Sequence, residues 1–215
     1  MGRLYIVATP IGNLKDITLR ALEVLKNVDF VLAEDTRITK KLLSHFDIKK
    51  PVLAYHQHSG SGRINEIKNL LSRGKDLALV SDSGTPGISD PGNKLISQIQ
   101  GVEVIPVPGP CALAAAGSVS GFAMDRFLFL GFLPVKNKRS KFLAKIKESE
   151  YPVVFYESPH RILKTLDELK DCEMVVCREL TKKFETIYRG SAQKIASELK
   201  EHPIKGEFVV ISKKQ

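Results

Sequence analysis

Apolar runs of strand length alternate with longer stretches of helical spacing through the first half of the chain. The runs are Leu4-Tyr5-Ile6-Val7-Ala8, Phe30-Val31-Leu32-Ala33, Pro51-Val52-Leu53-Ala54-Tyr55, Leu77-Ala78-Leu79-Val80 and Val102-Glu103-Val104-Ile105-Pro106-Val107. Between them, Leu19, Leu22 and Leu25 share a helical face, as do Ile64, Ile67, Leu70 and Leu71. Leu42 and Leu43 mark a further helix, and Leu95, Ile96 and Ile99 another. Gly74 stands where it would cap the helix that carries Ile67. Strands and helices alternating on short connections predict a mostly parallel sheet covered by helices on both faces.

The pattern changes after a helix of small residues that follows Pro108-Gly109-Pro110-Cys111-Ala112. Residues 127–133 and 152–156 read as strands, with a basic helical block between them. Ser158 and Pro159 read as the N-cap and first residue of a helix whose apolar face is Ile162, Leu166 and Leu169. Strands at 174–177, around 185–188 and at 208–211, with a helix over 191–199, predict a second α/β layer with a mixed sheet. Residues 117–125 are the expected linker, which gives domains 1–118 and 119–215.

Composition narrows the class. With 43% hydrophobic and 27% charged residues over 215 positions, the chain has the makeup of a soluble globular protein. No apolar run approaches the roughly 18 to 20 residues of a membrane span, and the N-terminus enters a strand at once without a signal peptide. A cytoplasmic location and no membrane partner are expected. Cys111, Cys172 and Cys177 form no CxxC pair, so neither a disulfide framework nor a metal site is expected.

The net charge of +9 suggests an anionic partner such as nucleic acid. Residues 1–120 hold 14 Lys and Arg against 11 acids, and residues 121–215 hold 19 against 13, so the excess leans toward the second half. Lys136, Lys138, Arg139, Lys141, Lys145 and Lys147 form a block without an acid. It is either a solvated helix face or a polyanion contact.

Phosphate-loop, GxGxxG, HExxH, GxSxG and EF-hand patterns are all absent, which argues against ATP hydrolysis, dinucleotide redox chemistry and zinc hydrolysis. Four strand-end loops collect polar or Gly/Pro chemistry instead: residues 9–13, 34–37, 81–92 and 108–112. The third reads Ser81-Asp82-Ser83-Gly84-Thr85-Pro86-Gly87-Ile88-Ser89-Asp90-Pro91-Gly92, with Asp90-Pro91 as N-cap and first residue of the next helix. Taken alone it is equally an ordinary rigid turn. In an open α/β sheet, however, such loops line the carboxyl ends of the strands, where ligands bind. They offer backbone donors and acceptors, which suits a zwitterionic nucleoside better than a triphosphate.

Residues 8–14, 33–37, 81–92 and 106–112, in order, together with Gly131-Phe132-Leu133-Pro134, Phe155-Tyr156-Glu157-Ser158-Pro159-His160-Arg161, Arg178-Glu179-Leu180-Thr181-Lys182 and Gly206-Glu207, give the chain its resemblance to a known family. It resembles the tetrapyrrole-methylase-like (class III) S-adenosylmethionine methyltransferases over nearly its whole length, and most of all their bacterial branch that 2′-O-methylates a cytidine of 16S ribosomal RNA. The resemblance implies two α/β domains, a S-adenosylmethionine cleft between them and a homodimer acting on the small ribosomal subunit. It implies cofactor contacts from Pro10, Ser81, Asp82, Gly84, Thr85, Pro86, Gly87, Ile88, Cys111, Ala112 and Tyr156, with a strand near Gly206 beside them.

Methyl transfer to a ribose hydroxyl requires alignment and a route for the proton. Asp35 and Glu157 are the candidate bases, and His58 and His160 are further possible acceptors. Arg37, Arg161 and Lys182 are candidates for phosphate binding or alkoxide stabilisation, and Lys136, Lys138, Arg139 and Lys141 for RNA binding. Each of these acids can equally form a structural salt bridge, as Glu179 can with Arg178 or Lys182. Ser59-Gly60 replaces the Asn-Glu usual in the family after His58, which puts a substrate role for that loop in doubt. Many members also continue into a small C-terminal domain, which here would place RNA affinity on the basic block and the dimer surface. Methylation of a tetrapyrrole or other small acidic substrate, and a non-enzymatic RNA-binding or assembly role, stay open as alternatives.

Overall fold

The computed structural model describes every residue except Gln57, His58, Pro91, His202 and Gln215. The chain divides into two compact units, Met1–Cys111 and Ala112–Gln215. In the first, β1 (Leu4–Val7), α1 (Leu19–Asn27), β2 (Phe30–Ala33), α2 (Thr36–His45), β3 (Val52–Ala54), α3 (Ser61–Ser72), β4 (Leu77–Val80), α4 (Gly92–Ile96) and β5 (Val104–Val107) follow one another. The five strands pair in the order β3-β2-β4-β1-β5, every pairing parallel.

Strand periodicity explains why helices cover both faces. Val7, Val31, Ala33, Ala78 and Val80 pack with Ala21, Leu25 and Leu43 of α1 and α2. Their neighbours Leu4, Leu32, Leu77 and Leu79 turn the other way, onto Ile64, Ile67 and Leu71 of α3 and Leu95 of α4. β4 lies at the centre and is buried along its whole length. Local chemistry sets the helix ends. The Thr18 hydroxyl accepts from the Ala21 N–H at 3.1 Å, and the Asp35 carboxylate accepts from the Arg37 N–H at 2.8 Å. Gly74 follows α3 at φ +80°, the left-handed position expected of it.

The second unit contains α5 (Ala112–Ser120), β6 (Leu128–Phe132), α6 (Arg139–Glu148), β7 (Val153–Glu157), α7 (Ile162–Glu168), β8 (Cys172–Arg178), β9 (Thr186–Ser191), α8 (Ala192–Lys200) and β10 (Phe208–Lys214). Its sheet runs β6-β7-β10-β8-β9, with β6 parallel to β7 and the remaining pairs antiparallel. Phe155, Val176, Phe208 and Val210 meet Ile162, Leu166 and Leu169 from the α7 side and Ile195 and Leu199 from α8. Each such side chain, fully buried, contributes about 1.5–3 kcal/mol relative to exposure.

Two helix starts differ from expectation. α6 begins at Arg139, because Lys138 takes the left-handed conformation at φ +66° and ends the turn before it. α7 begins at Ile162 and not at Pro159. The Ser158 hydroxyl accepts from Arg161 Nε at 3.3 Å, and the Ser158 carbonyl takes the N–H groups of Arg161 and Ile162 at 3.1 Å each. Ser158 therefore closes a turn ahead of the helix. Among the described residues, no helix is long and apolar enough to cross a membrane.

Candidate active site

In the first unit the four strand-end loops lie side by side in the order set by β2, β4, β1 and β5. Hydrogen bonds tie the other three to the loop after β4. The Asp35 N–H donates to Asp82 Oδ1 at 3.0 Å, which ties the loop after β2 to the loop after β4. Thr9 and Gly84 exchange both backbone bonds, at 2.9 and 3.1 Å, and form a small antiparallel bridge between loops whose strands are parallel. Thr85 Oγ1 donates to the Pro110 carbonyl at 3.0 Å, which brings in the loop after β5.

The loop after β4 is also fastened to itself. Thr9 Oγ1 donates to the Ser81 carbonyl at 3.1 Å and the Ser81 hydroxyl to the Gly84 carbonyl at 3.0 Å. Asp90 Oδ1 accepts from the N–H groups of Gly87 and Gly92, the latter at 3.0 Å, and Asn93 Nδ2 donates to the Gly87 carbonyl at 2.8 Å. Gly84 and Gly87 sit at φ +83° and +87°, and a Cβ on Gly87 would come within 2.8 Å of Asn93 Oδ1. The hydroxyls of Thr9, Ser81 and Thr85 are thus engaged inside the loops. What the loops present is their backbone. Pro10, Ser81, Gly84 and Pro86 are buried, Asp82, Thr85, Gly87 and Cys111 are half-buried, and Ile88 is exposed. Pro91 lies outside the described residues.

The rim is acidic. Glu34, Asp35, Asp82 and Asp90 come from two neighbouring loops, and they are held differently. Asp35 is pulled down to about 2, first by the Arg37 guanidinium, which pairs with it at 2.6 Å, and then by the Arg37 N–H. A carboxylate held there is a weak proton acceptor, so the geometry gives Asp35 the task of capping α2 and fixing Arg37. Glu34 moves the other way: burial raises its pKa, Asp82 and Asp90 raise it further, and His56 opposes them. A small cavity behind this rim is lined by Glu34, Tyr55, Ser81, Pro86, Asp90 and Gly92, and the buried Tyr55 hydroxyl has no hydrogen-bond partner among the described residues.

The second unit gathers its sequence motifs in another way. The Glu157 side chain is fully buried and accepts from Arg161 at 2.7 Å, Thr165 Oγ1 at 2.7 Å and the Ser158 N–H at 2.8 Å. Arg139 approaches it at 4.0 Å and bonds Glu168 at 2.5 Å, Thr165 Oγ1 at 2.8 Å and the Pro134 carbonyl at 3.1 Å. Arg161 Nη1 donates to the Leu133 carbonyl at 2.9 Å. This network binds residues 133–134 to α7, and it corrects two expectations. Glu157 is saturated and shut off from solvent, so it is a structural carboxylate and not a base facing a substrate. Arg139 turns into the core, because Glu168 and Thr165 offer its guanidinium better partners than water, and it leaves the basic surface.

Lys182 pairs with Glu179 at 2.9 Å and Glu207 at 2.7 Å. Burial alone would lower the lysine and raise Glu179, but the ion pairs outweigh it and both charged forms are favoured. Lys182 therefore fastens residues 179–182 to residues 206–207. Lys136, Lys138 and Lys141 remain exposed, as does His160, whereas His58 lies outside the described residues. Tyr156 sits between Phe129 and Phe132, with ring centroids 5.2 and 5.4 Å away. Ala112 opens α5. Glu34 and Tyr55, which line the small cavity behind the rim, are not singled out as site residues by the sequence. The signal for Glu34 was its place beside Asp35 in a strand-end loop, while Tyr55 reads only as the end of an apolar strand.

Among the described residues, no group of three or more His, Cys, Asp or Glu could hold a metal ion. Residues 3–196 match the family of Tetrapyrrole (Corrin/Porphyrin) Methylases. The Ribosomal RNA small subunit methyltransferase I of Synechocystis sp. is 48% identical over 219 residues, an alignment covering 98% of this chain and 78% of that protein. The protein of the same name from Thermotoga maritima is 45% identical, with 98% of each chain covered. Among solved structures, diphthine synthase matches with a TM-score of 0.76 at 14% identity, covering 99% of this chain and 90% of its own. Cobalt precorrin-4 methyltransferase matches at 0.68 and 19% identity, covering 98% and 94%. At such identities these structures establish likeness of fold alone.

Proposed function

The chain belongs to the family of Tetrapyrrole (Corrin/Porphyrin) Methylases, and from that premise we propose that it transfers the methyl group of S-adenosylmethionine to the 2′-oxygen of a cytidine ribose in 16S ribosomal RNA. The observation that carries the reading is the stitched loop assembly of the first unit. Its hydroxyls are engaged internally, its glycines hold left-handed conformations, and Asp82 and Asp90 belong to the loop itself. Those features fit S-adenosylmethionine, a ligand with a cationic sulfonium and ammonium and a nucleoside that a bare backbone can approach.

Pro10, Ser81, Asp82, Gly84, Thr85, Pro86, Gly87, Ile88 and Cys111 are the residues of the first unit that would hold it. When bound it supplies an electrophilic methyl group. The chain's own part is to fix the acceptor and receive its proton. Arg37 is fixed by Asp35 with its side chain 85% exposed, placed to meet a phosphate. Lys136, Lys138 and Lys141 supply dispersed cations along the RNA, while Arg161 and Lys182 act mainly within their own ion pairs.

The choice of RNA over a small acidic substrate is supported by the relatives' names at 45–48% identity and by the net charge of +9. The test supplies labelled S-adenosylmethionine together with small ribosomal subunits from a strain lacking the modification, and, separately, a tetrapyrrole mixture. Label on a cytidine 2′-oxygen of 16S RNA is expected. Label in the tetrapyrrole alone, or in neither, overturns the reading.

A further inference from the structure

Four carboxylates crowd the carboxyl ends of β2 and β4, and three of them are occupied. Asp35 holds Arg37, Asp82 accepts the Asp35 N–H, and Asp90 accepts the N–H groups of Gly87 and Gly92. Glu34 has no hydrogen bond or ion pair among the described residues. It lines a small cavity together with Tyr55, which is only 1% exposed and whose hydroxyl has no hydrogen-bond partner among the described residues. Of the other polar groups lining this cavity, the Ser81 hydroxyl is bonded to the Gly84 carbonyl and Asp90 Oδ1 to its two N–H groups. A buried phenol without a partner costs about 1–3 kcal/mol, so its retention beside the one unoccupied carboxylate calls for a reason.

We propose that Glu34 is the proton acceptor of the methyl transfer and that the Tyr55 hydroxyl positions it across the cavity. This rests on the reading that the site methylates a ribose hydroxyl. In the step, the acceptor's O–H bond breaks and its proton passes to the Glu34 carboxylate. The oxygen forms its bond to the methyl carbon, and the carbon–sulfur bond breaks with its electron pair staying on sulfur, leaving a neutral thioether. Glu34 then releases the proton to solvent.

The charged surroundings suit this task. Partial burial disfavours the ionised form most, Asp82 and Asp90 from the loop after β4 add to it, and His56 from the loop after β3 opposes them, while Glu34 as a whole residue remains exposed at the rim. Glu34 is thereby a stronger base than an ordinary glutamate, while Asp35 in the same loop is a weaker one than an ordinary aspartate.

The test uses Glu34→Gln and Tyr55→Phe in the full chain, with three readouts. Calorimetry with S-adenosylmethionine should give a Kd within about threefold of wild type for Glu34→Gln, while kcat on ribosomal subunits falls by about 10²–10⁴, the range of general-base catalysis. Carboxyl-labelled NMR of the free protein should show one glutamate, absent from the Glu34→Gln spectrum, that titrates above the ordinary range. The acid limb of the wild-type kcat should follow that titration, and Tyr55→Phe should shift both together. Turnover of Glu34→Gln within about threefold of wild type, or an acid limb unrelated to the Glu34 titration, overturns the proposal. Absence of RNA methylation by the wild-type chain is a different result, which sinks the proposed function itself, and the NMR titration still reports on Glu34 in that case.

Discussion

The two units fasten their motifs by opposite means. In the loops after β1, β2, β4 and β5, the bonds are short links from hydroxyls and backbone groups, and they leave a surface of bare peptide. Around α7, five side chains, four of them charged, close upon one another about the buried Glu157. The first arrangement keeps polar atoms available to a ligand at little desolvation cost. The second uses charge to fix a loop, and none is left over. A motif rich in charged residues is thus not for that reason the reactive one.

The largest effect that would break this contrast is in the second unit. Glu157→Gln leaves Arg161 and Arg139 facing a neutral amide in a buried site, and loss of one partner from such a network costs about 3–5 kcal/mol. Urea denaturation should show that loss, with S-adenosylmethionine binding by the folded protein retained; an unchanged midpoint would return Glu157 to the candidate bases. Next, Gly87→Ala forces a side chain into the left-handed region at φ +87° and against Asn93. About 1–3 kcal/mol of stability is expected to be lost, together with affinity for S-adenosylmethionine measured by calorimetry. Retained affinity would mean that the loop's backbone is not the binding surface.

Neutralising Lys136, Lys138 and Lys141 together should lower the slope of log K against log salt for RNA binding by about 2. Arg139→Gln should leave that slope unchanged and lower stability instead. If the single arginine variant changes the slope and the triple variant does not, the division between surface and core is reversed. The smallest effect concerns Asp35. Its pKa lies at about 2 in the folded chain, below the ordinary 3.8. A depressed folded value means stability that is present above 3.8 and lost as pH falls through about 2. Asp35→Asn keeps a capping residue but loses the charge, so its acid unfolding curve should be shallower than wild type across that window.

Much of the fold was legible because each apolar run carried its own instruction. Phe30-Val31-Leu32-Ala33 and Leu77-Ala78-Leu79-Val80 recur as strands with the same bounds, and the parallel arrangement follows from the helices between them. The fates of single charged side chains were not legible. Arg139 reads as one cation in a block of six, and its buried position depends on Thr165 and Glu168, which no local pattern connects to it. Glu157 and Asp35 could be picked out as acids near functional loops, but only the assembled structure reveals what already holds them. Glu34 stood next to Asp35 throughout, and its freedom is visible only once its neighbours' bonds are known.

The place of β4 between β1 and β2 also bears on when the protein becomes competent during synthesis. β1 pairs only with β4 and β5, while β2 pairs with β3 and β4. A nascent chain halted before Leu77 therefore has its first strand without a neighbour, and its amides at Leu4–Val7 should exchange freely with solvent; protection there would mean that β1 has found another partner. At about 5–20 residues per second, the interval before β4 emerges lasts several seconds. Throughout it the Thr9 bridge has no Gly84 to meet. The face made by the four loops therefore waits first for the central strand β4 and then for β5, whose loop joins it through Thr85 and Pro110.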